Sequence, residues 1–437
     1  MTYEEALSKI HDRLRFGNKL TLTRIKELLH LLGDPHKTLR IIHVAGTNGK
    51  GSVSKYVYSA LRENGYRVGL YTSPYIIDFR ERIECDGHWI NQEDLTALTA
   101  RVFDVVNLME STGSDAPTEF EIVMAIAFLY YKEMECDYVV LEVGLGGRGD
   151  ATNVIANPLV SLITSISFDH MEYLGDTLAE IAAEKAEIIK RDCPLVYRVQ
   201  DALAAEVIQK KAVKMHSPAF DVQEIAEHVS IHETSLMGTH FSVQILDQVY
   251  DDVFIPLAGL HQVDNAITAL CALAVLATEH GIRLDSDKIL QGLAKTSHVA
   301  RFEKIHDKPT VIIDGAHNAE GMRAFCDSVK PFIEKKKTLF IVGILKDKEF
   351  SKMLESVLSL DVDLAVSEPE NYRKASAKEL GDVVKSLGGK AEILGDAAHA
   401  IVYAKEHFEQ YEYILFAGSL YFVSAIRESF MGKEEQT

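Results

Sequence analysis

The chain is predicted to be α/β: an N-terminal P-loop-type domain on a mostly parallel sheet, then a C-terminal doubly wound, Rossmann-like domain. Three observations predict it. Apolar strand-like runs alternate with helical periodicities through the first two hundred or so residues. A glycine-rich stretch, Gly46-Thr47-Asn48-Gly49-Lys50-Gly51-Ser52, joins one such strand to one such helix. After Lys308-Pro309 a second regular alternation begins and runs nearly to the C-terminus. At 437 residues the chain is too long for one core, so two domains are expected, 1–297 and 298–437.

Each element has its own reason. Ile41–Ala45 is mostly apolar and short, like a buried strand. Beyond the glycine-rich stretch, Val53, Val57, Ala60 and Leu61 recur at helical spacing until Asn64-Gly65 stops the helix. Residues 66–71 then read as a second strand, and so do 137–143 and 159–166. A helix over 177–190 starts with a capping box, Thr177 and Glu180. Residues 217–258 show short alternating segments and are expected to form an inserted antiparallel region. A helix over about 262–280 is apolar nearly all round, which predicts deep burial. Residues 297–309 read as a break. Strands then follow at 310–313, 338–342, 363–367, 391–394 and 413–417, alternating with helices at 319–334, 348–359, 376–387, 396–409 and 420–430.

Composition narrows the partners. Hydrophobic residues make up 47% of the chain, enough for a globular core, and no apolar run is read as reaching membrane-span length. The N-terminus is polar, unlike a signal peptide. The five cysteines (Cys85, Cys136, Cys193, Cys271, Cys326) lie far apart without a Cys-x-x-Cys pair. They read as reduced thiols of a cytoplasmic protein, expected to be monomeric. A formal charge of −19 disfavours nucleic acid as a partner. It also means that local cations, metal ions and helix termini must hold any anionic substrate against a repulsive field.

The glycine-rich stretch carries the clearest chemistry. Glycines let backbone N–H groups turn toward phosphate oxygens, and a helix N-terminus adds partial positive charge. Lys50 is placed to reach the outer phosphates and the Ser52 hydroxyl to serve a magnesium ion. The spacing departs from the common Walker A pattern: Val44 stands where its first glycine belongs, and Gly51 separates lysine from serine. Glu142 ends a buried strand, where ligands of open α/β sheets gather, and suits magnesium. Residues 144–149 spell G-x-G-x-x-G, but no helix signal follows, so the dinucleotide reading is rejected for a flexible substrate-facing loop with Arg148 available to an anion. Ser167-Phe168-Asp169-His170 follows another strand, which places His170 as a candidate metal ligand beside Glu142.

Lys185 is the oddity. It falls on the same helical stripe as Leu178, Ile181, Ala182, Ile188 and Ile189, so a lysine occupies a core-facing position. It either snorkels to the edge or is buried with its pKa depressed. A fall from ~10.4 to ~7 corresponds to ~4–5 kcal/mol of desolvation and leaves a neutral amine that CO2 can carbamylate. In the second domain Asp314-Gly315-Ala316-His317-Asn318 sits at a strand end, and Arg301 lies in the link. Polar strand ends in both domains suggest a cleft with ATP held by the first.

Together these residues resemble the folylpolyglutamate synthase and dihydrofolate synthase family of Mur-type amide ligases, over nearly the whole chain. The specific pieces are His43 to Ser52, Thr72-Ser73-Pro74, Glu142 to Arg148, Glu184-Lys185-Ala186, His261-Gln262 with Asn265-Ala266, Asp314 to Asn318, and Gly418-Ser419-Leu420-Tyr421. The resemblance implies ATP on Gly46, Thr47, Asn48, Gly49, Lys50, Gly51 and Ser52, with Asn265, Arg301 and Asp314 also contacting the nucleotide. It implies magnesium at Ser73, Glu142 and His170, a carbamylated Lys185 supporting a second metal, and His317 near the reacting phosphate. The segment with Thr118, Phe120 and Glu121 matches the folate side. The implied activity joins L-glutamate to a folate, to dihydropteroate, or to both.

Three positions depart from the family pattern: Glu187 for a glycine, His298-Val299-Ala300 for Trp-Pro-Gly, and Ala319 for a proline. Two rival readings remain open, a P-loop phosphotransferase and a non-catalytic or altered-substrate paralogue.

Overall fold

The computed structural model describes residues 1–13 and 21–432. β1 (Ile41–Ala45) is buried along its whole length, as expected of a parallel strand covered on both faces. It is the fifth strand of an eight-stranded sheet that also contains β2 (Val68–Tyr71), β3 (Ile83–Cys85), β4 (His88–Trp89), β5 (Tyr138–Glu142), β6 (Val160–Ile163), β7 (Leu195–Tyr197) and β8 (Ala219–Asp221). The order is β4-β3-β2-β5-β1-β6-β7-β8. β2, β5, β1, β6, β7 and β8 run parallel, and β3 and β4 form an antiparallel edge. The parallel arrangement puts the carboxyl ends of β2, β5, β1 and β6 side by side. That edge is where the loops after these strands must meet.

The antiparallel insertion expected over 217–258 is narrower, since Ala219–Asp221 is the parallel strand β8; it consists of β9 (Ala226–Ser235), β10 (Gly238–Ile245) and β11 (Gln248–Ile255), in the order β11-β10-β9. Two-residue connections make these neighbours antiparallel. The last sheet contains β12 (Glu303–Asp307), β13 (Thr310–Ile313), β14 (Thr338–Gly343), β15 (Asp363–Glu368), β16 (Glu392–Asp396) and β17 (Tyr413–Ala417). Its order is β12-β13-β17-β14-β15-β16, parallel except for β12. β12 corrects the expected break at 297–309. It is an edge strand in which only Ile305 is buried, so it has almost no apolar pattern to read.

Two more expectations need correcting. The helix expected over 177–190 ends at Lys185 and continues as a 3-10 turn, Ala186–Ile188, although its capping box is present. The helix Leu260–His280 is long and apolar enough to cross a membrane by length and composition, with 67% of that stretch buried inside the protein.

Contacts divide the chain into two compact units. The first contains residues 1–229, 242–251 and 265–296, and the second 230–241, 252–264 and 297–437. In the first, one apolar cluster gathers Tyr71, Phe128, Tyr131 and Leu141, and another gathers Ala45, Ile163, Ile181 and Ile188. In the second, Phe325, Phe340, Val342 and Leu415 share a core.

Candidate active site

The glycine-rich stretch is the turn between β1 and the helix Lys50–Glu63. Gly46 has φ 152°, and a Cβ there would lie 1.8 Å from the Thr164 hydroxyl. Gly49 has φ 84°, and a Cβ there would lie 2.3 Å from Asn265 Oδ1. Both positions therefore require glycine sterically. The segment after β6 backs the loop. The Thr47 N–H donates to the Ser165 carbonyl at 2.7 Å, and the Asn48 N–H to the Ser165 hydroxyl at 3.1 Å. Thr164 Oγ1 donates to the Asn48 carbonyl at 2.6 Å, and the Ser167 N–H donates to the Thr47 hydroxyl at 3.1 Å. The helix that begins at Lys50 points its N-terminus toward this loop, the end of a helix that favours an anion. Ser52 is buried.

Two lysines converge on this loop. Lys50 Nζ donates to the Gly46 and Thr47 carbonyls, both at 3.1 Å. Lys185 Nζ donates to the same Gly46 carbonyl at 2.8 Å. Lys185 is 4% exposed, so it does not snorkel. Burial, reinforced by the Lys50 cation, lowers its pKa to about 7.

One strand over, Glu142 ends β5 and is buried, and its Oε2 accepts the Ser73 N–H at 3.2 Å. The geometry thus brings Ser73 and Glu142 together. His170 has φ 49°, is more exposed, and has its Nε2 3.9 Å from the Asp169 carboxylate. Among the described residues no group of three or more His, Cys, Asp and Glu side chains could hold a metal ion. A single buried carboxylate still fits magnesium, which usually binds one or two carboxylates, waters and substrate phosphates instead of an all-protein cage.

The loop over 144–150 is less open than expected. Asp150 accepts the Leu145 and Thr152 N–H groups at 2.8 and 3.0 Å, and a Cβ on Gly147 would strike the Glu184 carbonyl at 2.6 Å. Arg148 was expected to be available to an anion. Instead its guanidinium pairs with Glu184 at 2.8 Å and Glu187 at 3.3 Å. Glu187 in turn accepts Lys211 Nζ at 2.8 Å. Two cations therefore compensate the charge that departs from the family pattern.

Thr118 and Glu121, expected on the folate side, form the capping box of the helix Glu119–Glu133. Glu121 also pairs with Arg24 at 2.9 Å. Both therefore make contacts that hold the start of this helix in place. Phe120 packs edge-on to Tyr71 and fills the space beside Gly144.

In the second unit Arg301 lies between two residues in the left-handed region, Ala300 at φ 55° and Phe302 at φ 45°. The turn is tied by Phe302 N–H to Asp314 Oδ2, Ala300 N–H to Glu303 Oε2, and Gly315 N–H to the Ala300 carbonyl, each at 2.8 Å. Asp314 also accepts the Ala316 N–H, and burial raises its pKa. His317 Nδ1 donates to the Gly315 carbonyl at 2.9 Å. Asn318 caps the helix Ala319–Ile333. Sequence reasoning missed Thr164, Ser165 and Asp150. The only signal for Thr164 and Ser165 was small polar residues directly after a strand at the carboxyl edge of the sheet, and Asp150 lies eight residues beyond the end of β5.

A strand-end phosphate loop with two converging lysines and a neighbouring buried glutamate defines an ATP-dependent ligase of the Mur type. The Mur ligase middle domain matches residues 44–273 and the Mur ligase glutamate ligase domain residues 300–420. Within that class the chain belongs to the folylpolyglutamate synthase/dihydrofolate synthase family. It is 38% identical to the dihydrofolate synthase/folylpolyglutamate synthase of Bacillus subtilis (strain 168), covering 98% of each chain. It is 34% identical to the folylpolyglutamate synthase of Lacticaseibacillus casei, covering 99% of each. The Mycobacterium tuberculosis folylpolyglutamate synthase complexed with ADP and AMPPCP superposes with a TM-score of 0.91 at 30% identity, covering 99% of each chain. The solved FPGS–AMPPCP–folate complex superposes at 0.87 with 32% identity, covering 99% of this chain and all of that one.

Proposed function

We propose that the chain joins L-glutamate to a folate, with dihydropteroate as a further acceptor, through an acyl phosphate that yields ADP and phosphate. The observation that carries this reading is the phosphate loop with Lys50 and Lys185 on one carbonyl and Glu142 one strand away. ATP binds at residues 46–52. Lys50 swings from the Gly46 and Thr47 carbonyls to the outer phosphates and spreads the charge of the transferring group. The acceptor carboxylate takes the γ-phosphoryl group, the glutamate amine attacks the resulting acyl phosphate, and phosphate leaves. Glu142 and Ser73, with His170, are the groups that would hold magnesium, which supplies charge neutralisation at the phosphates. The resemblance would give Asn265 a nucleotide contact in the first unit, and in the second unit its candidates for the nucleotide and the reacting phosphate are Arg301, Asp314 and His317. We place the reaction in the cytoplasm and assign a monomer.

Lys185, buried and with a pKa of about 7, is a neutral amine in a substantial fraction of molecules at neutral pH and so is reactive toward CO2. Its carbamate would replace a cation by an anion able to support a second metal. Lys185→Ala is expected to abolish turnover, and short carboxylic acids to restore part of it; full activity without rescue removes the carbamate.

Product analysis by mass spectrometry tests the whole reading, with dihydropteroate and tetrahydrofolate run in parallel with ATP and glutamate. ADP and phosphate should appear only with both acceptor and glutamate. AMP and pyrophosphate would exclude the acyl phosphate, and ATP consumption indifferent to glutamate would favour a phosphotransferase.

A further inference from the structure

The fold brings together two cysteines that are 51 residues apart in the chain. Cys85 ends β3 and Cys136 lies in the turn before β5, and their Sγ atoms are 3.4 Å apart, one thiol donating to the other. They flank β2, whose Gly69 pairs with Cys85 on one side and Val139 on the other. Gly69 has no side chain, and the Tyr131 ring fills the space at 2.6 Å from where its Cβ would lie. The backbone beside each cysteine is fixed to β2: the Asp86 N–H donates to the Val68 carbonyl at 3.0 Å, and the Asp137 N–H to the Arg67 carbonyl at 2.8 Å. The Cys136 N–H also donates to the Tyr131 carbonyl at 3.1 Å. The two sulfurs are therefore held in contact by the sheet itself. A disulfide, at about 2.05 Å, is roughly an ångström closer.

The two thiols differ in a useful way. Cys85 is buried, whereas Cys136 is partly exposed and can meet a small oxidant. The neighbouring Cys136 thiol, with help from Arg67, holds the Cys85 thiol below its ordinary pKa. The exposed partner meets the oxidant and the buried one is the readier nucleophile.

We propose that Cys85 and Cys136 form a modification site, a dithiol that hydrogen peroxide converts reversibly to a disulfide. The Cys85 sulfur, the readier nucleophile, attacks a peroxide that enters beside the partly exposed Cys136, the O–O bond breaks, and a sulfenic acid and one water result. The Cys136 sulfur then attacks the sulfenic sulfur, the S–S bond forms, the S–O bond breaks, and the departing oxygen leaves as a second water. Two thiols are oxidised, one peroxide is reduced, and both thiol protons end in water. A dithiol reductant reverses the change. The crosslink ties β3, the return arm of the segment carrying Ser73, to the turn that leads into the Glu142 strand.

The test uses the full chain. It is treated with hydrogen peroxide, alkylated, digested without reductant and analysed by mass spectrometry. The expected result is a peptide pair joined through Cys85 and Cys136, two hydrogens lighter than its parts and separated by dithiothreitol. Cys85→Ser and Cys136→Ser should each abolish it. The proposal is overturned if both cysteines of the wild-type chain remain alkylatable after peroxide, or if they are recovered as separate sulfinic or sulfonic acids. Because the decisive reading is on the wild-type chain, a poorly folding variant does not affect it.

Discussion

At Lys185, burial in the fold shifts a proton equilibrium. Its pKa is about 7 in the folded protein against 10.5 for an exposed lysine. Between those values the unfolded chain binds more protons than the folded one, so this residue's contribution makes stability rise with pH. Below pH 7 the burial penalty is complete, on the order of 5 kcal/mol, and it fades toward pH 10.5. Lys185→Met in CO2-free buffer should therefore gain most in Tm below pH 7 and least near pH 10.5; a pH-independent difference would refute the account. Thr164 acts at the same scale. Its hydroxyl donates to the Asn48 carbonyl and occupies the space beside Gly46. Thr164→Val keeps the shape and removes that bond, a loss of about 1 kcal/mol. Calorimetric titration with AMPPCP should show affinity reduced about fivefold, and Thr164→Ser should retain it. The core-facing lysine was legible from its place on an apolar stripe. Thr164 was not, because nothing in a linear sequence says which strand end lies behind a loop.

At the scale of elements, the turn around Arg301 shows what a non-glycine residue at position 300 costs. The backbone at Ala300 is left-handed, φ 55°, a conformation that costs an alanine about 1–2 kcal/mol and a glycine almost nothing. Glycine restores chain entropy to the unfolded state, at about 0.5–1 kcal/mol, so the two effects partly cancel. Ala300→Gly is expected to stabilise the protein by up to about 1 kcal/mol, read as a higher urea midpoint; a clear loss of stability would contradict the strain. Helices and buried strands were largely legible here because apolar periodicity and capping boxes are local. The helix ending at Lys185 shows the limit. Its apolar stripe continues through Ile188 and Ile189, but the chain tightens to a 3-10 turn there, and periodicity alone does not register that change. β12 was missed for the opposite reason, since an edge strand with one buried residue carries too little pattern.

At the scale of the whole molecule, a net charge of −19 has to coexist with anionic substrates. Around the glycine-rich loop Lys50 and a helix N-terminus supply positive charge locally, while Arg148 and Lys211 compensate Glu187 outside it. Residue identity and spacing alone determined the α/β class, the glycine-rich turn between strand and helix, and the family, because each is written in short contiguous stretches. Only the tertiary structure decided that Thr164 and Ser165 brace that loop, that Arg148 is occupied, and that Cys85 meets Cys136. Those facts depend on which strands lie side by side in the β3-β2-β5-β1-β6 order. Strand order is set by packing of the whole sheet, between residues too far apart in the chain for any local pattern to relate them.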